Sequence, residues 1–116
     1  MERNRSIHFI ELSAFSADRR VFFKTDDDFR QFQTDLCKDP AKGDIIQGTG
    51  GFRKIRWYST TGKGKSSGCR VIYLYLKREQ RIYLALVFGK NEQSNITDQQ
   101  KNMLKKQVEF LKEDDP

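Results

Sequence analysis

Histidine occurs once in the 116-residue chain, as His8, and cysteine twice, as Cys37 and Cys69. The two cysteines have neither metal-ligand spacing nor a neighbouring histidine, so a zinc site has little to build on. Nor do they make a disulfide framework, and two buried, reduced thiols are expected instead. A lone histidine at one end leaves no Ser-His-Asp or Cys-His arrangement for nucleophilic catalysis. No stretch approaches the roughly 18 apolar residues of a membrane span. The N-terminal segment MERNRSIHFIELSAF is interrupted by His8 and Glu11 before a signal-like apolar region develops. The expectation is a cytoplasmic protein with no membrane partner. Gly64-Lys65-Ser66 has the right end for a phosphate-binding loop, but the pattern requires glycine where the chain has Ser59, and the segment joins two strands rather than opening a helix. Nucleotide hydrolysis is set aside on that ground.

Acidic residues are scarce in one region only. Between Arg53 and Lys90, ten Lys or Arg side chains stand against Glu79 alone, whereas residues 1–52 carry eight basic and nine acidic groups and residues 91–116 carry four and six. The net charge of +6 is therefore the sum of −1, +9 and −2. Charge concentrated in this way is an electrostatic footprint for a polyanion, because phosphates exchange their counterions for fixed Lys and Arg. The length suits a single domain spanning residues 1–116. Nine Phe, four Tyr and one Trp supply the bulk for its core despite an apolar fraction of 36%.

Residues 7–12 are apolar enough for a strand, and the segment 13–20 after it reads as a loop or a short helical turn. Thr25 followed by Asp28 caps a helix over about residues 26–38, with Phe29, Phe32 and Leu36 on one face and Pro40 ending it. Four glycines between Gly43 and Gly51 exclude a regular element interior there. In the strand Phe52–Tyr58 that follows, Lys54, Arg56 and Tyr58 share one face while Ile55 and Trp57 share the other. A flexible basic loop, Ser59–Gly68, precedes two dense strands, Cys69–Leu76 and Arg81–Phe88, joined at Lys77–Gln80 as a hairpin. Thr97 and Gln100 form a capping box for a last helix, whose Leu104, Val108 and Leu111 face the core while Lys101, Lys105 and Lys112 stay wet. This order predicts an α+β fold, a small antiparallel sheet with helices packed on one side.

The basic strand face Lys54, Arg56, Tyr58 is the first candidate site, and Arg70, at the head of the next strand, belongs opposite it in an antiparallel hairpin. Lys90 sits at the exit of the last strand, so three adjacent strands offer cations to one concavity. Cations that converge without acidic partners repel one another, and a phosphate chain is the natural counterweight. Tyr58, Tyr73, Tyr75 and Tyr83 lie among these charges, where tyrosine rings either stack on unpaired bases or are buried with the hydroxyl at the rim.

The segments Gly43–Arg56, Gly68–Tyr75 and Leu86–Ser94 together resemble the toxins of the RelE superfamily, closest to its HigB-like branch. The likeness covers roughly residues 20–112, and it is specific because a glycine turn entering a basic strand, a G-x-R-V/I-I-Y strand and an F/Y-G-K-N-E turn recur in the family's order. It implies the RelE-like toxin fold and a type II toxin that enters the ribosomal A site and cleaves mRNA. It also implies ribosomal RNA and mRNA as partners, and a cognate antitoxin, an acidic or a helix-turn-helix DNA-binding protein. Family members need no metal or other cofactor, since the ribose 2′-OH attacks the adjacent phosphodiester. Matched position by position, Lys54 and Arg56 meet the mRNA backbone, Arg70 stabilises the transition-state phosphate, and Lys90 is the basic residue of the last turn. The archetype has arginine and tyrosine where this chain has Asn91 and Thr97. Proton transfer therefore falls to Lys54 or to Glu92. Arg53, Tyr58, Lys63, Lys65 and Asn91 complete the expected RNA-binding set. The rival on the same fold is a ParE-like toxin that inhibits DNA gyrase without nuclease chemistry.

Overall fold

A computed structural model describes residues 6–58, 68–89, 93 and 95–113 of the chain. Five strands form one sheet in the order β1-β5-β4-β3-β2, where β1 is His8–Glu11, β2 Asp44–Ile45, β3 Arg53–Trp57, β4 Cys69–Leu76 and β5 Arg81–Gly89. Three helices accompany it: α1 (Ser13–Phe22), α2 (Asp26–Lys38) and α3 (Asp98–Glu113). The class is α+β, as the order of elements predicts. Three of the strand pairings are antiparallel, while β1 joins β5 in parallel, so the sheet is mixed.

The helices lie on both faces rather than one. Side chains alternate along β4, so Cys69, Val71 and Tyr73 join Phe15, Phe23, Phe29, Phe32 and Leu36 of the α1–α2 side, while Ile72, Leu74 and Leu76 join Leu104 and Val108 of α3. Two-sided burial explains why β4 is apolar at every position but Arg70. Ala85 is an extra residue in β5, since Ile72 pairs with Leu86 and Tyr73 with Leu84. The bulge is confined to that point.

α2 starts where the sequence places it: the Thr25 hydroxyl accepts a hydrogen bond from the Asp28 N–H at 3.0 Å, and Asp26, Asp27 and Asp28 fill the positive first turn. The capping box of α3 is formed in both directions, Gln100 N–H to Thr97 Oγ1 at 3.1 Å and Thr97 N–H to Gln100 Oε1 at 2.9 Å. α1 is a full helix where a loop or turn was expected. Its N-cap is Leu12, with no side-chain cap bond and no acid in the first turn. The start is instead tied to β1 by Glu11, whose carboxylate accepts from Ser16 Oγ at 2.7 Å and Arg19 Nη1 at 3.2 Å. Gly48, Gly50 and Gly51 all take positive φ in the β2–β3 turn. At Gly50 a Cβ would also meet Val108 Cγ1 at 2.7 Å, so this turn and α3 close on each other only with glycine there.

Candidate functional site

The strand phase separates two kinds of basic residue on β3. Ile55 and Trp57 pack against the α1–α2 core, which turns Lys54 and Arg56 to the opposite face. Arg56 is directly across from Arg70, and Lys54 is across from Ile72 on one side and Asp44 on the other. Arg70 is 8% exposed, and among the described residues no carboxylate forms an ion pair with it. Lys54, Arg56 and Arg70 line one open cleft of about 520 Å³, with Lys42, Gly43, Asp44 and Ile55 completing the wall. A buried guanidinium beside a second one, cross-strand and unneutralised by described acids, costs folding energy. The planar guanidinium forks suit the oxygens of an anion such as a phosphate.

Lys54 is held in place from outside the sheet. Its Nζ donates to Asn95 Oδ1 at 2.7 Å, just ahead of α3. Asn95 is itself tied to the capping box, because Gln93 Nε2 donates to the Asn95 carbonyl at 2.6 Å and to Gln100 Oε1 at 3.0 Å. The helix start and the candidate lysine are therefore parts of one hydrogen-bonded frame.

Arg53, expected among the RNA contacts, lies on the other face of β3 from Lys54 and Arg56. It shares the face of Ile55 and Trp57, and its Nη1 donates to the carbonyls of Ala41 at 2.9 Å and Gly43 at 2.7 Å. Its guanidinium holds the 41–43 loop at the cleft wall. Tyr73 does related work from the sheet interior: its hydroxyl donates to the Pro40 carbonyl at 2.7 Å and accepts the Gly43 N–H at 2.9 Å. Burial, as the largest cause, pushes its ionisation above the ordinary tyrosine range. Replacing Tyr73 with phenylalanine strands a buried N–H, and a stability loss of about 1–3 kcal/mol is expected by urea unfolding. A loss below a few tenths of that would show that water takes over both bonds.

Tyr73 and Tyr83 are buried and Tyr75 is half-buried, whereas Tyr58 is 45% exposed. Its ring lies on Gly68, where a Cβ would fall 2.3 Å from Tyr58 Cε1, so the approach needs glycine. Lys77, Arg78 and Arg81 lie at the turn end of the β4–β5 hairpin, the far end from Arg70. Lys63, Lys65, Lys90, Asn91 and Glu92 lie outside the described residues. Two site neighbours went unread in the sequence, Asn95 and Lys101, and only the position of α3 over the sheet brings them to Lys54.

Cys69 is buried, and loss of solvation pushes its thiol up to about 12. It stays a protonated packing group. Cys37 is exposed on α2, its thiol raised by partial burial. Among the described residues no group of three or more His, Cys, Asp or Glu is placed to hold a metal ion, and no helix is long and apolar enough to cross a membrane.

This fold has a counterpart among solved structures. The free state of the Escherichia coli toxin RelE, as a double arginine-to-alanine mutant, superposes with a TM-score of 0.54 at 13% identity, covering 78% of this chain and 90% of that one. The likeness defines the fold. The family model described as the RelE toxin of the RelE/RelB toxin-antitoxin system matches residues 33–114, and the chain belongs to the RelE toxin family. Membership implies an antitoxin partner, and the reading as a ParE-like gyrase inhibitor draws no support from it.

Proposed function

We propose that the chain is a ribosome-dependent mRNA endonuclease of the HigB-like branch, acting in the cytoplasm on mRNA in the ribosomal A site. The observation that carries this reading is the cleft itself: Lys54, Arg56 and Arg70 converge from two adjacent strands, with Arg70 buried and no described acid paired to it. A scissile phosphodiester is the anion they suit. The adjacent 2′-OH attacks phosphorus as its proton leaves, and the 5′-oxygen departs with a proton, giving a 2′,3′-cyclic phosphate and a free 5′-OH. Arg70 and Arg56 stabilise the charge that gathers on the non-bridging oxygens. Lys54 or Glu92 handles the protons, and Lys90 adds a further cation. Tyr58, Lys63, Lys65 and Asn91 serve docking on RNA. The antitoxin partner, in this reading a helix-turn-helix DNA-binding protein, neutralises the toxin when bound.

The purified chain added to a cell-free translation reaction is expected to cut mRNA only where ribosomes translate it, leaving cyclic-phosphate and 5′-hydroxyl ends, with naked mRNA intact. Translation arrest with intact mRNA, or ends carrying a 3′-hydroxyl and a 5′-phosphate, would sink the proposal. DNA damage signalling on induction with translation unimpaired would point to gyrase instead.

A further inference from the structure

Lys54 has a carboxylate for a neighbour and does not pair with it. Asp44 stands directly across from it on β2, and side chains opposite each other in an antiparallel pair share a face. The Cβ atoms of such a pair lie about 4.5–5.5 Å apart, so a freed lysine reaches the carboxylate by a change of rotamer. Among the described residues, however, Asp44 forms no ion pair. The lysine Nζ donates instead to Asn95 Oδ1 at 2.7 Å. Because an ammonium only donates, that bond fixes the amide with its oxygen toward the lysine and its NH₂ turned away. Asp44, Lys54 and Asn95 all border one hollow of about 240 Å³ beside the cleft.

The choice of acceptor decides what charge the cleft presents. An amide holds an ammonium without cancelling its charge, whereas a carboxylate forms a neutral pair with little left for a phosphate. The described charges around Lys54 are Arg56 and Arg70 on its own sheet face, Lys42 on the cleft wall, Lys101 on α3 and Asp44. Repulsion from four cations drives the lysine toward the one acid, so its place on Asn95 is held against that pull. Asn95 is itself braced: Gln93 Nε2 donates to its backbone carbonyl at 2.6 Å and to Gln100 Oε1 at 3.0 Å, the oxygen that also accepts the Thr97 N–H in the capping box. We propose that Asn95 is a positioning residue whose side-chain carbonyl holds the Lys54 ammonium off Asp44, so that the cleft keeps a third uncancelled cation beside Arg56 and Arg70. Its effect on rate rests on the nuclease reading above, while the tether itself does not.

The test is a double-mutant cycle of Asn95→Ala and Asp44→Asn, read as mRNA cleavage on programmed ribosomes. Both positions are exposed, so all variants are expected to fold. Asn95→Ala is expected to lower kcat by about 10- to 100-fold with little change in KM, the scale on which a misplaced catalytic group loses rate. In the Asp44→Asn background there is no carboxylate for the lysine to fall onto, and the same substitution is expected to cost only a small part of that. A merely structural asparagine would cost the same in both backgrounds. The swing is also read without cleavage, by NMR of the lysine side chains in the free protein: the Lys54 Cε–Hε signal is expected to respond more strongly to Asp44→Asn once Asn95 is replaced by alanine. Equal losses in the two backgrounds, a loss confined to KM, an Asn95→Ala variant as fast as wild type, or a Lys54 signal equally sensitive to Asp44 with and without Asn95 overturns the proposal. A wild-type chain that cuts nothing on translating ribosomes overturns the nuclease reading instead, and the NMR comparison then still decides the tether.

Discussion

Replacing Arg70 with alanine is expected to lower mRNA cleavage by about 10²- to 10³-fold, the effect of removing one preorganised donor from a developing oxyanion. Expression of the variant in bacteria should then no longer arrest growth, and cleavage rates on translating ribosomes give the magnitude. The position of the side chain motivates the size of the effect. Arg70 is 8% exposed on a strand with neighbours on both sides, opposite Arg56 on β3 and Phe88 on β5. Its guanidinium is consequently better fixed than the exposed Arg56, and a fixed fork of donors stabilises phosphate oxygens without reorganising during the reaction. Lysine at this position keeps the charge but loses the fork, so Arg70→Lys should recover only part of the rate. The same variants separate catalysis from folding. A buried cation opposite another cation opposes the native state, so Arg70→Ala is expected to melt no lower than wild type. Growth arrest equal to wild type would remove Arg70 from the chemistry, and a collapsed melting transition would make it a structural residue.

Much of this site was legible in the sequence because it obeys a period of two. Lys54 and Arg56 alternate with Ile55 and Trp57, and the phase alone separates the cleft face from the packed face. Arg70 follows from the hairpin order, and its partner in the register is Arg56. The same period sets Arg53 apart from Lys54 and Arg56, since it shares the phase of Ile55 and binds loop carbonyls. Local signals also delivered α2 and α3, since each begins on a side-chain cap three residues from its partner. α1 lacked such a signal: its cap is Leu12, and what anchors it is Glu11 at the end of the preceding strand. Two-residue β2 is too short to show a period at all. The parallel docking of β1 and the division of helices between two faces are tertiary choices. A hint of the second was present, since β4 is apolar at nearly every position. Asn95 bonds Lys54, and Lys101 lines a cavity with it, only because α3 packs on the sheet, and no spacing within the chain encodes that approach.

Truncating Phe32 to alanine is expected to cost about 3–5 kcal/mol of stability, the usual range for removing a buried aromatic ring. Against the roughly 5–15 kcal/mol that holds a typical domain together, this is a large share. Phe32 is 1% exposed and sits where three rings meet: Phe23 at 5.3 Å, Phe29 at 6.4 Å and Trp57 at 5.5 Å between centroids. The Trp57 contact links the core to the site. Its indole Nε1 is buried with no hydrogen-bond partner among the described residues, so ring packing rather than a polar anchor sets where it lies. Trp57 is the residue after Arg56 on β3, a strand whose outer neighbour is the two-residue β2. A void beneath Trp57 therefore reaches a strand with little to hold it on the far side. Cleavage by Phe32→Ala, measured well below its melting midpoint, should fall further than the unfolded fraction accounts for, because Lys54 and Arg56 lose their fixed aim. Phe32→Leu refills most of the space and should restore both stability and rate in large part. Urea unfolding checks the first expectation, and cleavage at a temperature where both variants are folded checks the second. A loss below about 1 kcal/mol would mean the aromatic cluster collapses to fill the gap, leaving β3 supported by its strand neighbours alone.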